Sequence, residues 1–341
     1  STFAKDIYVK DLDLNEKLTL NLAGNLEAEN LNFNKDATVN LADNKNLDAK
    51  INTLNNSEGS LNLLGSSTIE KELGSSTNRL KEISAGQTGS ISTFKENIYS
   101  DKTTIKGAGV VNFEENLHST VYFEGDGTIN IEDNKAIISQ TQPFVRTVAD
   151  GVGNLNYKGA TNLTNDIGTE DKRLNSVNFA SNSNRDILQE LGHNVYAKNT
   201  IIGNGNNKVT LDFKDNVKFA GNLSITKDAT LNIKDKKIEV KDNLELLDNS
   251  VLNFDVQTTD LSAGSAVVTD GSKSGKIKAN SLSMRDDARF NITYDGTWEG
   301  KGQYNLVETN NEIATPYRAT EKDGRVKDNS IIDSTVEVVG K

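Results

Sequence analysis

Only two histidines could serve as general bases or metal ligands, and they lie far apart in the sequence. His118 and His193 are 75 positions apart, and the chain has no cysteine. A zinc site usually takes at least three nitrogen, sulfur or oxygen ligands with a local spacing such as H-x(3)-H, which is absent here. No G-x-S-x-G element marks a nucleophilic serine. We therefore predict no metal site, no cofactor and no catalytic residue, with both histidines on the surface or in loops.

Clustered carboxylates could do a different chemistry, because some β-helix proteins act on polysaccharides through acids on an outer face. The closest approaches to such clusters are Glu114/Glu115, Asp286/Asp287 and Asp133. Most acids have lysine or asparagine neighbours, as in KDN, EDNK and KDKK, which is typical of solvated turns. We predict that the chain is not an enzyme. The polysaccharide alternative would require a cleft with at least three carboxylates and an arginine or lysine.

Two arginines are notable because they recur within a repeated segment. Arg79 and Arg173 could be recognition residues that make repeated contacts with a partner. Alternatively, each could tie a loop to a neighbouring turn through hydrogen bonds to carbonyl or carboxylate oxygens, which recurrence favours. The glycine-rich stretches GNGNN from Gly203 and GDG from Gly125 do not fit G-x-G-x-x-G and are interpreted as turns. The residues that bind a partner remain unknown at this level.

The composition favours an ordered β protein with a polar surface. Asn is the commonest residue, with 44 positions, and proline occurs only twice. The net charge of −11 argues against a broad phosphate-binding surface, and therefore against nucleic acid as a partner. No window reaches the roughly 18 to 20 apolar residues of a membrane-spanning helix. The N-terminal segment has no basic stretch followed by an apolar one, so we expect a mature segment of a longer protein.

Periodicity predicts the elements that carry these residues. Apolar residues recur as short alternating pairs, a pattern typical of strands with one buried face. Three such pairs each recur 21 positions later: Val217/Phe219, Leu223/Ile225, Leu231/Ile233, then Ile238/Val240, Leu244/Leu246, Leu252/Phe254. This spacing predicts an all-β, right-handed parallel β-helix with side loops, with room for roughly 16 turns. Asn232 and Asn253 should stack on its outside.

A longer repeat overlies the short one. Three segments align, first 91 and then 97 positions apart, and place three tyrosines at equivalent positions, which we interpret as core or edge packing: Tyr8, Tyr99 and Tyr196. The segment from Gly59 aligns with the segment from Gly153 at an offset of 94. This alignment pairs Gly65 with Gly159, Gly74 with Gly168, Arg79 with Arg173, and Leu80 with Leu174.

The repeats predict one continuous body. We expect residues 1–310 to form a β-helix of three related units (about 1–97, 98–194 and 195–290) plus a terminal coil region. A polar C-terminal edge, 311–341, would follow, with one last strand at Ser334–Val339. A short helix is predicted in a side loop at Ser181–Leu191, where Asn184 would cap its N-terminus.

Several of these motifs resemble a known family. They are NIYSDKTTI from Asn97, NVYAKNTII from Asn194, the G-x-G-x-L-x-Y-K-G run from Gly151 and, above all, IGTEDKRLNSVNF from Ile167. They resemble the passenger domains of rickettsial surface cell antigen autotransporters, in particular the outer-membrane protein B branch of that family. The resemblance covers residues 1–260 well and the remainder loosely. It implies a surface protein that is exported through its own C-terminal β-barrel. The sequence has no regular segments of about ten alternating residues flanked by aromatic girdles, which such a barrel would require, so we expect a fragment of the longer protein.

The resemblance implies a function at the bacterial cell surface, outside the outer membrane. The expected role is that of an adhesin and invasion factor that contacts a host cell-surface protein and contributes to virulence. The alternative is a purely structural surface layer, with self-association and shielding. A β-helix enzyme acting on polysaccharide is the third hypothesis. We expect no nucleic acid partner and no direct membrane insertion of this segment.

Overall fold

The structure, a computed structural model, describes residues 1–139, 141–260, 262–263, 273–285, 287–295, 302–311 and 325–326. The chain divides into two compact units, Ser1–Val177 and Asn178–Lys341. The described residues form β-strands and one 3-10 turn, Thr258–Asp260, and include no α-helix. Within them, no helix is long and apolar enough to cross a membrane.

Unit 1 is built from parallel strands in two hydrogen-bonded rows. The first row runs in the order β1 (Thr2–Phe3), β3 (Thr19–Leu22), β5 (Thr38–Leu41), β7 (Ser60–Leu63), β9 (Leu80–Ala85), β11 (Ile98–Ile105), β13 (Leu117–Phe123) and β15 (Ile137–Ile138), with β16 (Val145–Thr147) also paired to β13. The second row contains β2 (Ile7–Leu14), β4 (Leu26–Phe33), β6 (Lys45–Thr53), β8 (Ser67–Ile69), β10 (Ile91–Phe94), β12 (Val110–Phe113), β14 (Thr128–Ile131), β17 (Asn154–Tyr157) and β18 (Leu174–Phe179).

Unit 2 is also built largely from parallel strands. One row contains β20 (Ala197–Ile202), β23 (Asn222–Ile225), β25 (Lys237–Leu246), β28 (Lys276–Met284) and β31 (Val307–Thr309), with β22 (Val217–Phe219) also paired to β25. The other contains β19 (Ile187–Leu191), β21 (Val209–Phe213), β24 (Thr230–Lys234), β26 (Val251–Gln257), β29 (Arg289–Asp295) and β32 (Arg325–Val326). The short strands β27 (Ser262–Ala263) and β30 (Gly302–Gln303) pair antiparallel.

These pairings form a parallel β-solenoid, as the alternating pattern predicts. Its turns are about 22 residues long, close to the predicted 21. The described residues make about 11 turns, whereas the estimate of roughly 16 was the room in the whole chain of 341 residues. Turn length also varies: stacked partners are 18 residues apart between Asn112 and Asn130 but 38 residues apart between Asn253 and Asn291.

Bulges divide the longest strands and create the faces of each turn. In unit 1 the register shifts between Glu27 and Asn30 and again between Tyr99 and Lys102. A bulge bends its strand. Each bent strand therefore supplies two straight segments of a turn, and the neighbouring short strand supplies the third segment. Three faces per turn agree with the three strand pairs seen in the sequence.

The constant offset seen in the sequence of unit 2 corresponds to the observed register. Val217 pairs with Ile238, and Leu223 pairs with Leu244, as predicted. Leu231 pairs with Leu252 at the same offset. After Asn232 the register shifts, so Lys234 rather than Ile233 lies opposite Phe254. All twelve apolar residues of the two predicted sets are buried. Alternation therefore identified the core correctly, since successive side chains of a strand point to opposite faces.

Asparagine ladders run along the outside of the turns. Asn253 donates its side-chain amide to Asn232 at 2.6 Å, and Asn291 donates to Asn253 at 2.8 Å, which confirms the predicted outward stack. In unit 1, Asn40 donates to Asn21 and Asn62 donates to Asn40, both at 2.8 Å. A neutral hydrogen bond of this kind contributes about 0.5–1.5 kcal/mol. The abundant asparagines thus satisfy one another between turns.

The predicted helix is wrong. Ile187–Leu191 is strand β19, which pairs in parallel register with β21. Its buried residues, Ile187, Gln189 and Leu191, alternate with exposed ones. The segment ILQEL fits either period, and pairing with the next turn supplies hydrogen bonds that an isolated short helix lacks. The predicted last strand, Ser334–Val339, lies outside the described residues, as does the predicted C-terminal edge beyond Asn311 except Arg325–Val326.

Candidate functional sites: paired arginine loops and a surface groove

The aligned segments of unit 1 fold into two modules with the same local geometry. We define the first module as residues 19–81 and the second as residues 110–175. Gly59 has φ +79° and lies against the Phe33 ring, while Gly153 has φ +90° and lies against the Phe123 ring. A Cβ atom at either glycine would come within 3.0 Å of that ring. Both modules thus require glycine here for conformation and for space.

The same correspondence holds at the corners and in the amide ladders. A Cβ atom on Gly65 would lie 2.1 Å from Asp43 Oδ1, and one on Gly159 would lie 2.0 Å from Asp133 Oδ1. Each of these aspartates accepts a hydrogen bond from the backbone N–H after the glycine, at 2.7 and 2.9 Å. The second module also repeats the asparagine ladder: Asn130 donates to Asn112 and Asn156 donates to Asn130.

Arg79 ties the loop of the first module to the following turns. Its Nη2 donates to the carbonyl oxygen of Ser100 at 2.9 Å and also to that of His118. Its Nε lies 3.5 Å from Asp101 Oδ1. The guanidinium group is partly buried and bridges two successive turns. The contacts match the structural alternative weighed for this residue.

Arg173 occupies the equivalent position but makes a different contact. Its Nε and Nη2 donate to the two carboxylate oxygens of Asp150, at 2.9 and 3.0 Å. The residue equivalent to Asp150 in the first module is Asn56, whose side-chain oxygen accepts a hydrogen bond from the Arg79 backbone N–H at 2.9 Å. Asp150 accepts the same backbone bond from Arg173 at 3.1 Å. Asp150 is charged where Asn56 is not, so it forms an ion pair with two hydrogen bonds to the Arg173 guanidinium.

Each module also exposes one large apolar residue beside its arginine loop. Leu54 is 63% exposed and Val148 is 43% exposed. Their backbone N–H groups donate to the carbonyl oxygens of Phe33 and Phe123, each at 2.9 Å, so the two positions are equivalent. Leu54 and Val148 are thus an exposed apolar position that the two modules share, whereas Leu64, also exposed, belongs to the first module alone.

The two modules present these features on different faces. The first ladder lies on β3, β5 and β7, which belong to the first row of unit 1. The second ladder lies on β12, β14 and β17, which belong to the second row. Asn40 on β5 and Asn130 on β14 are equivalent in the sequence but belong to different rows. Equivalent loops therefore do not line up along one side.

One of the two histidines is placed differently from expectation. His118 lies in strand β13 rather than in a loop, and its ring stacks on Tyr99 at 4.4 Å with an interplanar angle of 13°. Burial lowers the pKa of His118, and the nearby Arg79 cation lowers it further. Tyr8 is exposed, and Tyr99 and Tyr196 are half-buried, so none of the three tyrosines belongs to the core. His193 follows β19 and is half-buried.

The acids singled out in the sequence do not converge on a metal site. Glu114 is exposed, Glu115 pairs with Lys135, and Asp133 caps the corner at Ala160. Asp286 lies outside the described residues. Among the residues that the structure describes, no group of three or more histidine, cysteine, aspartate or glutamate residues could hold a metal ion.

A groove in unit 2 brings together acids that the sequence does not connect. Its volume is about 510 Å³, and it is lined by Glu245, Leu246, Leu247, Asp248, Ser283, Met284, Arg285 and Asp287. The groove forms because Glu245 is in register with Ser283 and Leu246 with Met284 on β25 and β28. Stacked partners on these two strands, such as Asn243 and Ser281, are 38 residues apart in the chain. Because of this separation, the sequence does not indicate that these residues are neighbours. They become neighbours because the long turn between β25 and β28 places the two strands side by side.

The groove combines both signs of charge. Arg285 Nε lies 4.0 Å from Asp248 Oδ1, and both side chains are more than half exposed. Glu245 accepts a hydrogen bond from Ser224 at 2.7 Å. Asp287 Oδ1 is shielded from solvent and has no hydrogen-bond partner. Three carboxylates and one arginine thus line the same depression.

Comparison with known proteins identifies no family for this chain. No family model matches it, and no curated protein or solved structure gives a significant match.

Proposed function

We propose that the chain is the surface-exposed passenger segment of a bacterial autotransporter, outside the outer membrane, where it acts as an adhesin and invasion factor and forms part of the coat. The proposal rests on the motif resemblance to rickettsial surface cell antigens. A parallel β-solenoid is compatible with that resemblance. The single observation that supports binding is the duplicated module, which displays a rigid loop with an exposed apolar residue twice.

The proposed partner is a protein on the host cell surface. Leu54 and Val148 stand on loops held by backbone hydrogen bonds to neighbouring turns, so they lose little conformational freedom on binding. The test is binding of the purified chain to cultured host cells beside an unrelated β-solenoid of equal size. Saturable binding that unlabelled chain competes away is expected. Leu54→Ser with Val148→Ser should weaken it, while Leu188→Ser, an exposed leucine in unit 2, serves as the matched control.

The alternative is a structural surface layer. It would use self-association of the flat, amide-lined faces and a shielding role, without a host receptor. Light scattering on the same samples separates the two proposals. Absence of cell binding together with a mass that grows with concentration would favour the layer, whereas a strict monomer that binds no cells contradicts both.

The third candidate is an enzyme acting on polysaccharide, and it would have to use the groove of unit 2. Three carboxylates and Arg285 are the groups that such an enzyme would require. Glycoside hydrolysis needs one acid to protonate the leaving oxygen and a second to act as base or nucleophile. Incubation with oligosaccharides, followed by mass spectrometry of the products, tests it. We predict no cleavage, because Ser224 engages Glu245 and Arg285 lies beside Asp248, which leaves Asp287 as the one uncommitted acid of the groove.

A further inference from the structure

We propose that strand β2 of unit 1 binds, along its unpaired side, an extended peptide segment of another protein that carries lysine or arginine at two alternate positions. This inference is independent of the adhesin proposal, because it concerns a strand edge rather than the module loops. Among the described strands, β2 is the first of its row and pairs only with β4. We call the side of β2 that faces away from β4 the open edge. An unpaired strand edge is a template for a further strand.

The open edge exposes residues of a kind that the fold elsewhere buries. Val9 is in register with Ala28, which is buried, yet Val9 is 42% exposed. In the same turn, Phe3 of β1 is in register with the buried Leu22, yet Phe3 is 44% exposed. Residues in register lie on the same face of a sheet, so both side chains are on the core side. A strand added at the open edge would cover Val9 with its own core-side residues, which should therefore be apolar.

On the outer face, the side chains of β2 end two columns of stacked amides in carboxylates. Asp11 Oδ1 accepts a hydrogen bond from Asn30 at 2.7 Å, and Asp13 Oδ1 accepts one from Asn32 at 2.8 Å. Both aspartates are exposed. By contrast, the inner asparagine Asn40 accepts from one neighbouring turn and donates to the other. An ionised carboxylate has no proton to donate, so a strand at the open edge must supply the donors.

Unit 2 shows which donors the chain uses beside a carboxylate in such a column. Asp212 of β21 is in register with the ladder asparagine of β24. Its carboxylate oxygens contact the ammonium groups of Lys234 at 2.6 Å and Lys214 at 2.9 Å. Charged hydrogen bonds of this kind are stronger than neutral ones. The equivalent donors for Asp11 and Asp13 would be lysine or arginine side chains of the added strand.

A second copy of the chain matches the open edge less well. Two identical edges related by a two-fold axis run antiparallel, and the residue at the axis lies opposite itself. The registers that overlap most of β2 are centred at Lys10 and at Asp11, so they oppose two lysines or two aspartates. Like charges directly opposite each other are destabilising. Charge complementarity therefore favours a different, basic segment.

The expected complex is strand addition. Unit 1 stacks its turns in parallel register, so the added strand should run parallel to β2 with apolar residues facing the core side and cations opposite Asp11 and Asp13. Main-chain hydrogen bonds then supply affinity, and the alternating side chains supply specificity.

The test is fluorescence anisotropy of the whole chain with a labelled octapeptide, LTASKLKF. This peptide is the β4 sequence with lysine in place of both of its asparagines and with Thr and Ser in place of its two glutamates. The control peptide, LTASELEF, has glutamate at both lysine positions. We expect saturable binding of the lysine peptide and binding of the glutamate peptide that is weaker by about tenfold or more, because attraction becomes repulsion.

A backbone modification separates strand addition from simple charge attraction. Only alternate N–H groups of an added strand point toward β2. N-methylation of every second backbone nitrogen of the lysine peptide should therefore abolish binding for one of the two alternating sets and spare it for the other. Equal binding of both methylated peptides would contradict strand addition.

The variants remove charge at the open edge. Asp11→Asn with Asp13→Asn keeps the acceptors that the neighbouring asparagines use, and it should weaken the lysine peptide by about tenfold or more. The matched control, Glu96→Gln with Glu114→Gln, removes two exposed carboxylates elsewhere in unit 1 and should leave binding unchanged. Circular dichroism and urea unfolding show whether a loss reflects misfolding. The comparison of peptides uses the parent chain, so it remains decisive if a variant fails to fold.

Three results would overturn the inference: no saturable binding of the lysine peptide, equal affinity for the lysine and glutamate peptides, or an equal loss in the Glu96 and Glu114 control. Light scattering of the chain alone tests the other occupant. A mass that grows with concentration, and that Val9→Asp returns to the monomer, would assign the open edge to a second copy instead. Peptide binding by a chain without affinity for host cells would contradict the adhesin proposal alone. Cell binding without peptide binding would contradict only the open edge.

Discussion

The two modules of unit 1 share a backbone but use their arginines differently. Arg79 reaches across to the carbonyl oxygens of Ser100 and His118, whereas Arg173 is held by Asp150 on its own loop. Their loops, glycines and amide ladders are otherwise equivalent. Backbone geometry thus repeats with the sequence pattern, while the residue beside the repeated arginine differs, being Asn56 in the first module and Asp150 in the second.

The largest expected effect is a loss of folding stability on substitution of the glycine that both modules share, Gly59 or Gly153. Gly59→Ala and Gly153→Ala should each destabilise the fold by about 2–4 kcal/mol, because a positive φ is combined with a clash against a phenylalanine ring. Urea unfolding measures the change. Gly89→Ala is the control: φ there is +79° but nothing lies within 4 Å of the added Cβ, so only the conformational cost of about 1 kcal/mol remains. If only one of the two substitutions destabilised the fold, the two glycines would not be equivalent.

The second prediction sharpens the difference between the arginines. Arg79→Ala should cost about 1–3 kcal/mol, because two main-chain carbonyls of successive turns lose a charged donor. Arg173→Ala removes the ion pair with Asp150, and loss of that pair should cost about 0–1 kcal/mol, because Asp150 lies at the surface and regains water. Unfolding midpoints of the two variants under one condition give the comparison. Equal costs would mean that the contacts between turns carry no extra stability.

The third prediction converts one module toward the other. Asn56→Asp should place a carboxylate beside Arg79 and draw its guanidinium away from the carbonyl oxygens of Ser100 and His118. We expect a loss of about 0.5–1.5 kcal/mol, and a smaller further loss when Arg79→Ala is added than in the parent chain. A double-mutant cycle by urea unfolding measures this coupling. Strictly additive costs would show that residue 56 does not control the arginine.

The smallest effect concerns pH. Burial and Arg79 lower the pKa of His118 in the folded state, so the unfolded chain binds the proton more readily. Stability from this group is therefore complete above the unfolded pKa of about 6.5 and declines as the pH falls below it, toward the folded value. Unfolding between pH 7 and pH 5 should show a shallower decline in His118→Gln than in the parent chain. His193→Gln is the control, and an equal change there contradicts the assignment.

Much of the fold was predictable because alternation and amide stacking act locally. Val217, Leu223 and their partners in the next turn are buried as expected, and Asn232 and Asn253 stack outside. Ile187–Leu191 was not predictable, since a short segment with two leucines and an isoleucine fits a helix or a strand equally. The structural role of Arg79 could be anticipated from its recurrence, but its partners could not.

The groove of unit 2 had no sequence signal. Glu245 and Asp248 have nearby lysines or asparagines in the chain, like most acids here, and Arg285 and Asp287 lie in a distant part of the sequence. One sequence feature does indicate it: the stretch 247–285 is longer than the usual turn. The strands on either side of this stretch therefore pair across a long connection.

The sequence by itself determined which side chains point inward, which asparagines stack, and which loop segments repeat. These properties follow from the alternation of a strand and from glycine and aspartate at fixed places in each module. Only the tertiary structure decided the face on which each module lies, the partner of each arginine, and the residues that share the groove. The physical reason is that turn length varies along the chain, from 18 residues between Asn112 and Asn130 to 38 residues between Asn253 and Asn291, so sequence spacing does not fix position around the solenoid.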